Sequence, residues 1–254
     1  MRLEFKSLFA ATALMVFHVS GAAALDCNRW AEFDVLSQAP LSQARTCIAQ
    51  QSDLNVVGTQ GFTPLSAAIF NNRPDVATLL VKAGADVNAS GVDAYAPLHW
   101  AVLTAHVPTI KLLLNAGADA NHRDGDKSTA LHQAAEVDFD LKMIRLLLQS
   151  GADPRAKDKH GQTPVHKTLA RNPNVAALQM LIDAGFETNY VDPKYGYSYL
   201  HWAVYNNDPE KVSVMLDAGV DARLKNYDGK TAADMAENKP HLSEVYARMR
   251  QAEK

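Results

Sequence analysis

Cysteine is nearly missing from this 254-residue chain, which has only Cys27 and Cys47. No CxxC pair and no Cys/His spacing suited to a metal ion occurs, so a zinc or iron–sulfur site is not expected. Neither sign of charge dominates: 25 Lys and Arg stand against 28 Asp and Glu, a formal net charge of -3. Phosphate binding needs a concentration of basic side chains, and here they are scattered among acids, so no nucleic-acid partner is expected. HExxH, GxSxG and a phosphate-cradling glycine loop are all absent, and neither cysteine has the setting of a nucleophile. The chain is therefore expected to use no cofactor and no catalytic residue. At 47% hydrophobic and 21% charged it is nonetheless globular, and long enough to bury a continuous core.

The first 24 residues differ from the rest. Arg2 and Lys6 precede an apolar run from Ser7 to Phe17, and Gly21-Ala22-Ala23-Ala24 supplies small residues for cleavage. This pattern predicts a secretory signal, because the run is too short to span a bilayer comfortably; an uncleaved anchor is the rival reading. Cys27 and Cys47 lie just beyond it. In an exported chain they are expected to form one disulfide, whose loop would contribute about 3 kcal/mol. The alternative, a lipidated Cys27, meets Asp26 where processing wants a small residue.

What the sequence does have is repetition. Thr63-Pro64-Leu65, Ala96-Pro97-Leu98-His99, Thr129-Ala130-Leu131-His132, Thr163-Pro164-Val165-His166, Ser198-Tyr199-Leu200-His201 and Thr231-Ala232-Ala233 recur about every 33 residues. A second series runs in phase: Ala83-Gly84-Ala85-Asp86, Ala116-Gly117-Ala118-Asp119, Ser150-Gly151-Ala152-Asp153, Ala184-Gly185-Phe186-Glu187 and Ala218-Gly219-Val220-Asp221. In each unit Thr or Ser suits a helix N-cap and Pro the first turn, where no backbone donor is lost. An apolar stripe follows (Leu98, Ala101, Val102), then a denser one (Ile110, Leu112, Leu113, Leu114) closed by a glycine suited to a helix C-terminus. Asp86-Val87-Asn88 and Asp119-Ala120-Asn121 lead into a turn toward the next unit.

These residues resemble the ankyrin repeat over nearly the whole chain beyond the signal. The resemblance implies an all-α solenoid of paired antiparallel helices with β-hairpin or turn fingers and capping units at both ends. The expected organisation is a signal peptide (1–24), an N-terminal capping unit with the disulfide (25–57), five repeats (58–90, 91–123, 124–157, 158–192 and 193–225) and a C-terminal capping repeat (226–254). The recurrent His99, His132, His166 and His201 tempt a metal or acid/base reading. By the resemblance they are structural residues bonding across the finger turns, and one repeat is too long a separation for shared ligation. Paired acids such as Asp138 and Asp140 sit in a loop where solvation explains them.

The residues that the repeat does not need carry the functional expectation. Read off the finger tips and exposed first-helix positions, the concave face is expected to hold Phe62, Phe70, Tyr95, Trp100, Leu103, Ser128, Glu136, Gln162, Arg171, Tyr195, Tyr197, Trp202 and Tyr205. Five of the eight tyrosines fall between Tyr190 and Tyr205, and exposed Tyr and Trp are the side chains enriched in binding hot spots. Trp100 and Trp202 share one repeat position, which makes inter-repeat packing an equal alternative for them. The expected function is a monomeric, periplasmic or secreted module that binds a protein of the cell envelope or outside the cell, with no membrane contact once the signal is removed. By family analogy it would be an inhibitor or immunity protein occluding a toxin or lytic enzyme. The alternatives are a companion of an oxidative-stress enzyme such as catalase, and a secreted effector that binds a host protein.

Overall fold

The computed structural model describes residues 27, 30–31, 36, 39–50, 53–137 and 140–254. The expected signal segment (1–24) and Asp138 lie outside the described residues. The chain divides into two compact units, one up to Val92 and one from Asp93 onward.

The first unit holds α1 (Leu41–Ala49), α2 (Pro64–Phe70) and α3 (Pro74–Lys82). Its capping part is closed by the Cys27–Cys47 disulfide. Trp30 is fully buried there, its indole N–H donating to the Asp53 carbonyl at 3.2 Å. Arg73 reaches back to the Leu36 and Ala39 carbonyls (3.3 and 2.8 Å), fastening the cap to the first repeat.

The second unit repeats one helical hairpin: α4 (Pro97–Leu103) with α5 (Val107–Asn115), α6 (Ala130–Glu136) with α7 (Leu141–Gln149), α8 (Pro164–Arg171) with α9 (Val175–Asp183), and α10 (Tyr199–Tyr205) with α11 (Pro209–Asp217). A shorter hairpin, α12 (Ala232–Ala236) with α13 (Ser243–Ala252), ends it. First helices stack on first helices and second on second, so the unit is two parallel rows.

Local chemistry explains each hairpin. Thr63 caps α2, its hydroxyl accepting the Ser66 N–H at 3.2 Å while Ser66 Oγ accepts the Thr63 N–H at 2.8 Å. Such a reciprocal box satisfies two donors that the helix leaves orphaned. Second helices are capped by Asp140, Asn174 and Asp208 side chains, each accepting a backbone N–H of the first turn. They end in glycines with φ between 75° and 95° (Gly84, Gly117, Gly151, Gly185, Gly219). That left-handed turn returns the Ala85, Ala118 and Ala152 N–H groups to the Leu80, Leu113 and Leu147 carbonyls, each at 3.0 Å.

The core lies between the rows. Leu98, Leu131, Val165 and Leu200 point inward from first helices, and Ile110, Leu113, Ile144, Leu147, Leu178, Leu181 and Met215 from second helices, all essentially buried. Leu112 and Leu114 are only half-buried, so α5 presents a narrower apolar stripe than its sequence suggests. Alanines at Ala101, Ala134 and Ala203 let neighbouring helices approach closely. The last hairpin buries Val245 and Met249 but turns Arg248 outward onto Asp217 at 2.6 Å, the polar exterior expected of a cap.

Of the two forms expected for the fingers, the structure has turns: among the described residues no strand forms, and the one ladder contact is an isolated antiparallel bridge between Val191 and Ser198. Each finger is too short to propagate a ladder.

Candidate partner-binding surface

Four turn fingers of the second unit are each built around one buried side chain. Asp124 Oδ1 accepts the N–H groups of Asp126 and Ser128 (2.9 and 2.8 Å), and Asp158 Oδ1 those of His160 and Gln162 (2.8 and 2.9 Å). Asn226 Oδ1 does the same for Asp228 and Lys230, both at 3.0 Å. Asp192 takes three, with Lys194 and Tyr195 on one oxygen and Tyr197 on the other. The sequence reading missed this series, although its signal was present as an acid or Asn five or six residues before each capping Thr or Ser. It matters because Asp192 fixes the loop that displays Tyr195 and Tyr197.

The four recurrent histidines are structural, as the resemblance implies. Nδ1 accepts the N-cap N–H of Ala96, Thr129, Thr163 and Ser198 at 3.0–3.3 Å. That leaves the hydrogen on Nε2, from which His99, His132 and His201 donate to the Ser128, Gln162 and Lys230 carbonyls of the following repeat at 3.3, 3.0 and 2.9 Å. Burial holds three of these rings neutral, pulling His132 down to about 4, His166 to about 3, and His201 below its ordinary value. Among the described residues no group of three His, Cys, Asp or Glu could hold a metal ion, and no helix is long and apolar enough to cross a membrane.

The expected surface residues separate into three groups. Phe62 is not on the surface: it is 2% exposed and packs on half-buried Phe70, with ring centroids 5.5 Å apart. It stands directly before the capping Thr63, where the finger folds its side chain under the turn. Trp100 is also buried, covered by half-buried Tyr95 at 4.9 Å, with Leu103 half-buried one turn on. Ser128 is buried and serves through its carbonyl. These positions pack repeat against finger.

A second group is charged and paired within the molecule. Arg171 is exposed but bonded to Glu136, across neighbouring first helices. Lys167 bridges Asp158 at 2.7 Å and the Gln162 side chain at 2.8 Å. Burial pushes the Asp158 carboxyl up, yet the Lys167 ammonium and the backbone N–H groups outweigh it and hold it below the usual range. This stretch presents little uncompensated charge to a partner.

The third group is the aromatic cluster of the fifth repeat. Tyr197 lies 5.6 Å from both Tyr195 and Trp202 and 6.2 Å from Tyr205, and Trp202 lies 5.8 Å from Tyr205. The rings meet edge-on or tilted, the favourable arrangement for aromatic pairs. Tyr205 is 58% exposed, Tyr195 44%, and Tyr227 on the next finger 69%. Tyr227 was not among the expected residues. It joins the patch because its N–H bonds to the Tyr195 carbonyl (3.2 Å) and its hydroxyl to the Pro193 carbonyl (3.2 Å). Exposed Tyr side chains are of the kind enriched in binding hot spots, and the hydrogen bonds of the Asp192 loop leave it less conformational freedom to lose on docking.

Stacked helical hairpins with short side-chain-capped fingers and one aromatic surface define a repeat protein of the protein-binding class. The sequence agrees with a family model of ankyrin repeats (3 copies) over residues 89–158 and 131–226, and with a single ankyrin-repeat model over 60–91. The chain belongs to the ankyrin-repeat family. Its fold is similar to the crystal structure of the ankyrin repeat domain of Bcl-3, described as a unique member of the IkappaB protein family. The TM-score is 0.74 at 26% identity, covering 90% of this chain and 99% of that one. No curated protein matches the sequence. The repeats make the chain a protein-binding module on a scaffold that is generally non-enzymatic.

Proposed function

We propose that this chain is an exported module that acts in the periplasm, where it inhibits a lytic enzyme or toxin by covering it with the aromatic face of the fifth repeat. The observation that carries the reading is the Tyr195–Tyr197–Trp202–Tyr205 cluster, partly exposed yet fixed from beneath by Asp192. Export is supported by the signal-like N-terminus and by the Cys27–Cys47 disulfide, because structural disulfides persist in oxidising compartments. A preformed scaffold suits occlusion: it blocks an active site by shape and needs no chemistry of its own.

The test uses the chain beyond residue 24 as bait in an oxidised envelope extract, beside a Tyr195→Ala/Tyr205→Ala variant. The expected result is one hydrolase or toxin, inhibited by the bait and bound at least about 2 kcal/mol more weakly by the variant. Capture of a redox enzyme whose activity the bait leaves intact would overturn inhibition in favour of a companion role. Equal binding by the variant would place the docking surface elsewhere.

A further inference from the structure

Two kinds of backbone link fasten successive repeats of the second unit. In one, the residue following the buried Asx or Gly of a finger donates its N–H to the preceding finger. Gly125 donates to the Asp93 carbonyl at 2.7 Å, Lys159 to Asp126 at 2.8 Å and Tyr227 to Tyr195 at 3.2 Å. Val92 does the same onto Gly61 within the first unit, at 2.6 Å. In the other, Nε2 of His99, His132 or His201 reaches a carbonyl of the following finger.

The junction between the fourth and fifth repeats has neither. The residue in register is Pro193, which has no N–H to give. Nε2 of His166 is buried and finds no partner among the described residues. Side chains replace both links. The Tyr190 hydroxyl donates to the Gly161 carbonyl, and Tyr199, standing where other repeats carry Pro64, Pro97 and Pro164, sets its hydroxyl 3.0 Å from Thr163 Oγ1. The His166 ring lies against Tyr190 and Tyr199, at 5.1 and 4.5 Å. Gly161 makes the arrangement possible, because a Cβ there would stand 2.8 Å from both the Pro193 ring and the Tyr190 hydroxyl.

We propose that this junction is a joint, at which residues 198–252 open as one cooperative segment from the three repeats before them, with the Tyr190 hydroxyl as its latch. The stability of a stacked-repeat protein is a sum of repeat and nearest-neighbour terms, so opening occurs where an interface term is smallest. A junction lacking two backbone links and carrying a buried imidazole with one ring nitrogen unpaired is that place. Tyr195, Tyr197, Trp202 and Tyr205 lie at or beyond it, so the joint sets how that aromatic surface is held against the three repeats before it. The joint itself stands whether or not that surface binds anything.

Native-state hydrogen exchange on the full chain decides the matter. The expected profile has a step, with α10, α11 and α13 exchanging as one group faster than α4 to α9. Tyr190→Phe should speed that group about tenfold and leave α4 to α7 unchanged. Pro193→Ala, which restores the N–H in register, should slow it several-fold. Tyr227→Phe, which removes a hydroxyl bond at the next junction, should leave the step in place. Protection that decays smoothly from α8 to the C-terminus would mean simple end fraying and overturn the joint. So would a Tyr190→Phe effect spread equally over α4 to α7, or an unchanged rate in Pro193→Ala.

Discussion

Acidification from pH 7 to pH 5 should destabilise this protein by about 4 kcal/mol through two histidines alone. His132 and His166 are held neutral by burial, with folded-state values of about 4 and about 3 against 6.5 in the unfolded chain. Because the folded values are depressed, the unfolded chain takes up protons first as the pH falls. The stabilisation is whole above pH 6.5 and is lost progressively down to about 4 for His132 and about 3 for His166. Each unit of pH inside that window costs about 1.4 kcal/mol per histidine, or about 2 kcal/mol apiece between pH 7 and 5. His201, lowered by the same burial, adds in the same direction. The carboxylates with lowered values, Asp75, Asp158, Asp221 and Asp234, begin to lose their contribution only below their ordinary 3.8 and do not act in this window. Urea unfolding followed by circular dichroism at the two pH values measures the difference. Ser66 occupies the histidine position in the first repeat and caps Thr63 through its hydroxyl, so a His132→Ser/His166→Ser variant keeps a cap and loses the titration. A wild-type loss below 1 kcal/mol, or a variant that retains the wild-type pH dependence, would refute neutral burial as the cause.

Three further outcomes follow from other sites. Ala105 holds φ 56° at a turn where Asn72 and Asn207 stand in sister repeats, so Ala105→Gly should raise stability by about 1 kcal/mol in a thermal melt. Asp192→Ala strips the acceptors from three backbone N–H groups and should cost about 2–4 kcal/mol, whereas Asp192→Asn, imitating Asn226, should cost much less in denaturant titrations. Reducing the Cys27–Cys47 bridge, whose partners are 20 residues apart, should remove about 3 kcal/mol from the first unit, read as an earlier melt of α1 to α3 with the second unit unmoved.

The sequence determined the repeat, the helical hairpins and the pairing of the two cysteines, because each rests on local chemistry. Thr and Ser at helix starts, Pro in the first turn and Gly at a positive φ act over a few residues, and a 33-residue period announces itself without any contact map. The histidines were legible for the same reason, since Nδ1 closes on a backbone N–H three residues away. Exposure was not legible. Phe62 and Trp100 are aromatic as Tyr195 and Trp202 are, and only the packing of a finger over its own first helix put the former under cover. Tyr227 entered the aromatic surface through bonds to residues more than thirty positions earlier. The replacement of two backbone links by Tyr190 and Tyr199 likewise became visible only when finger was laid on finger. Burial and inter-repeat bonding depend on what the chain brings alongside a residue, and no local pattern encodes its neighbour's neighbour.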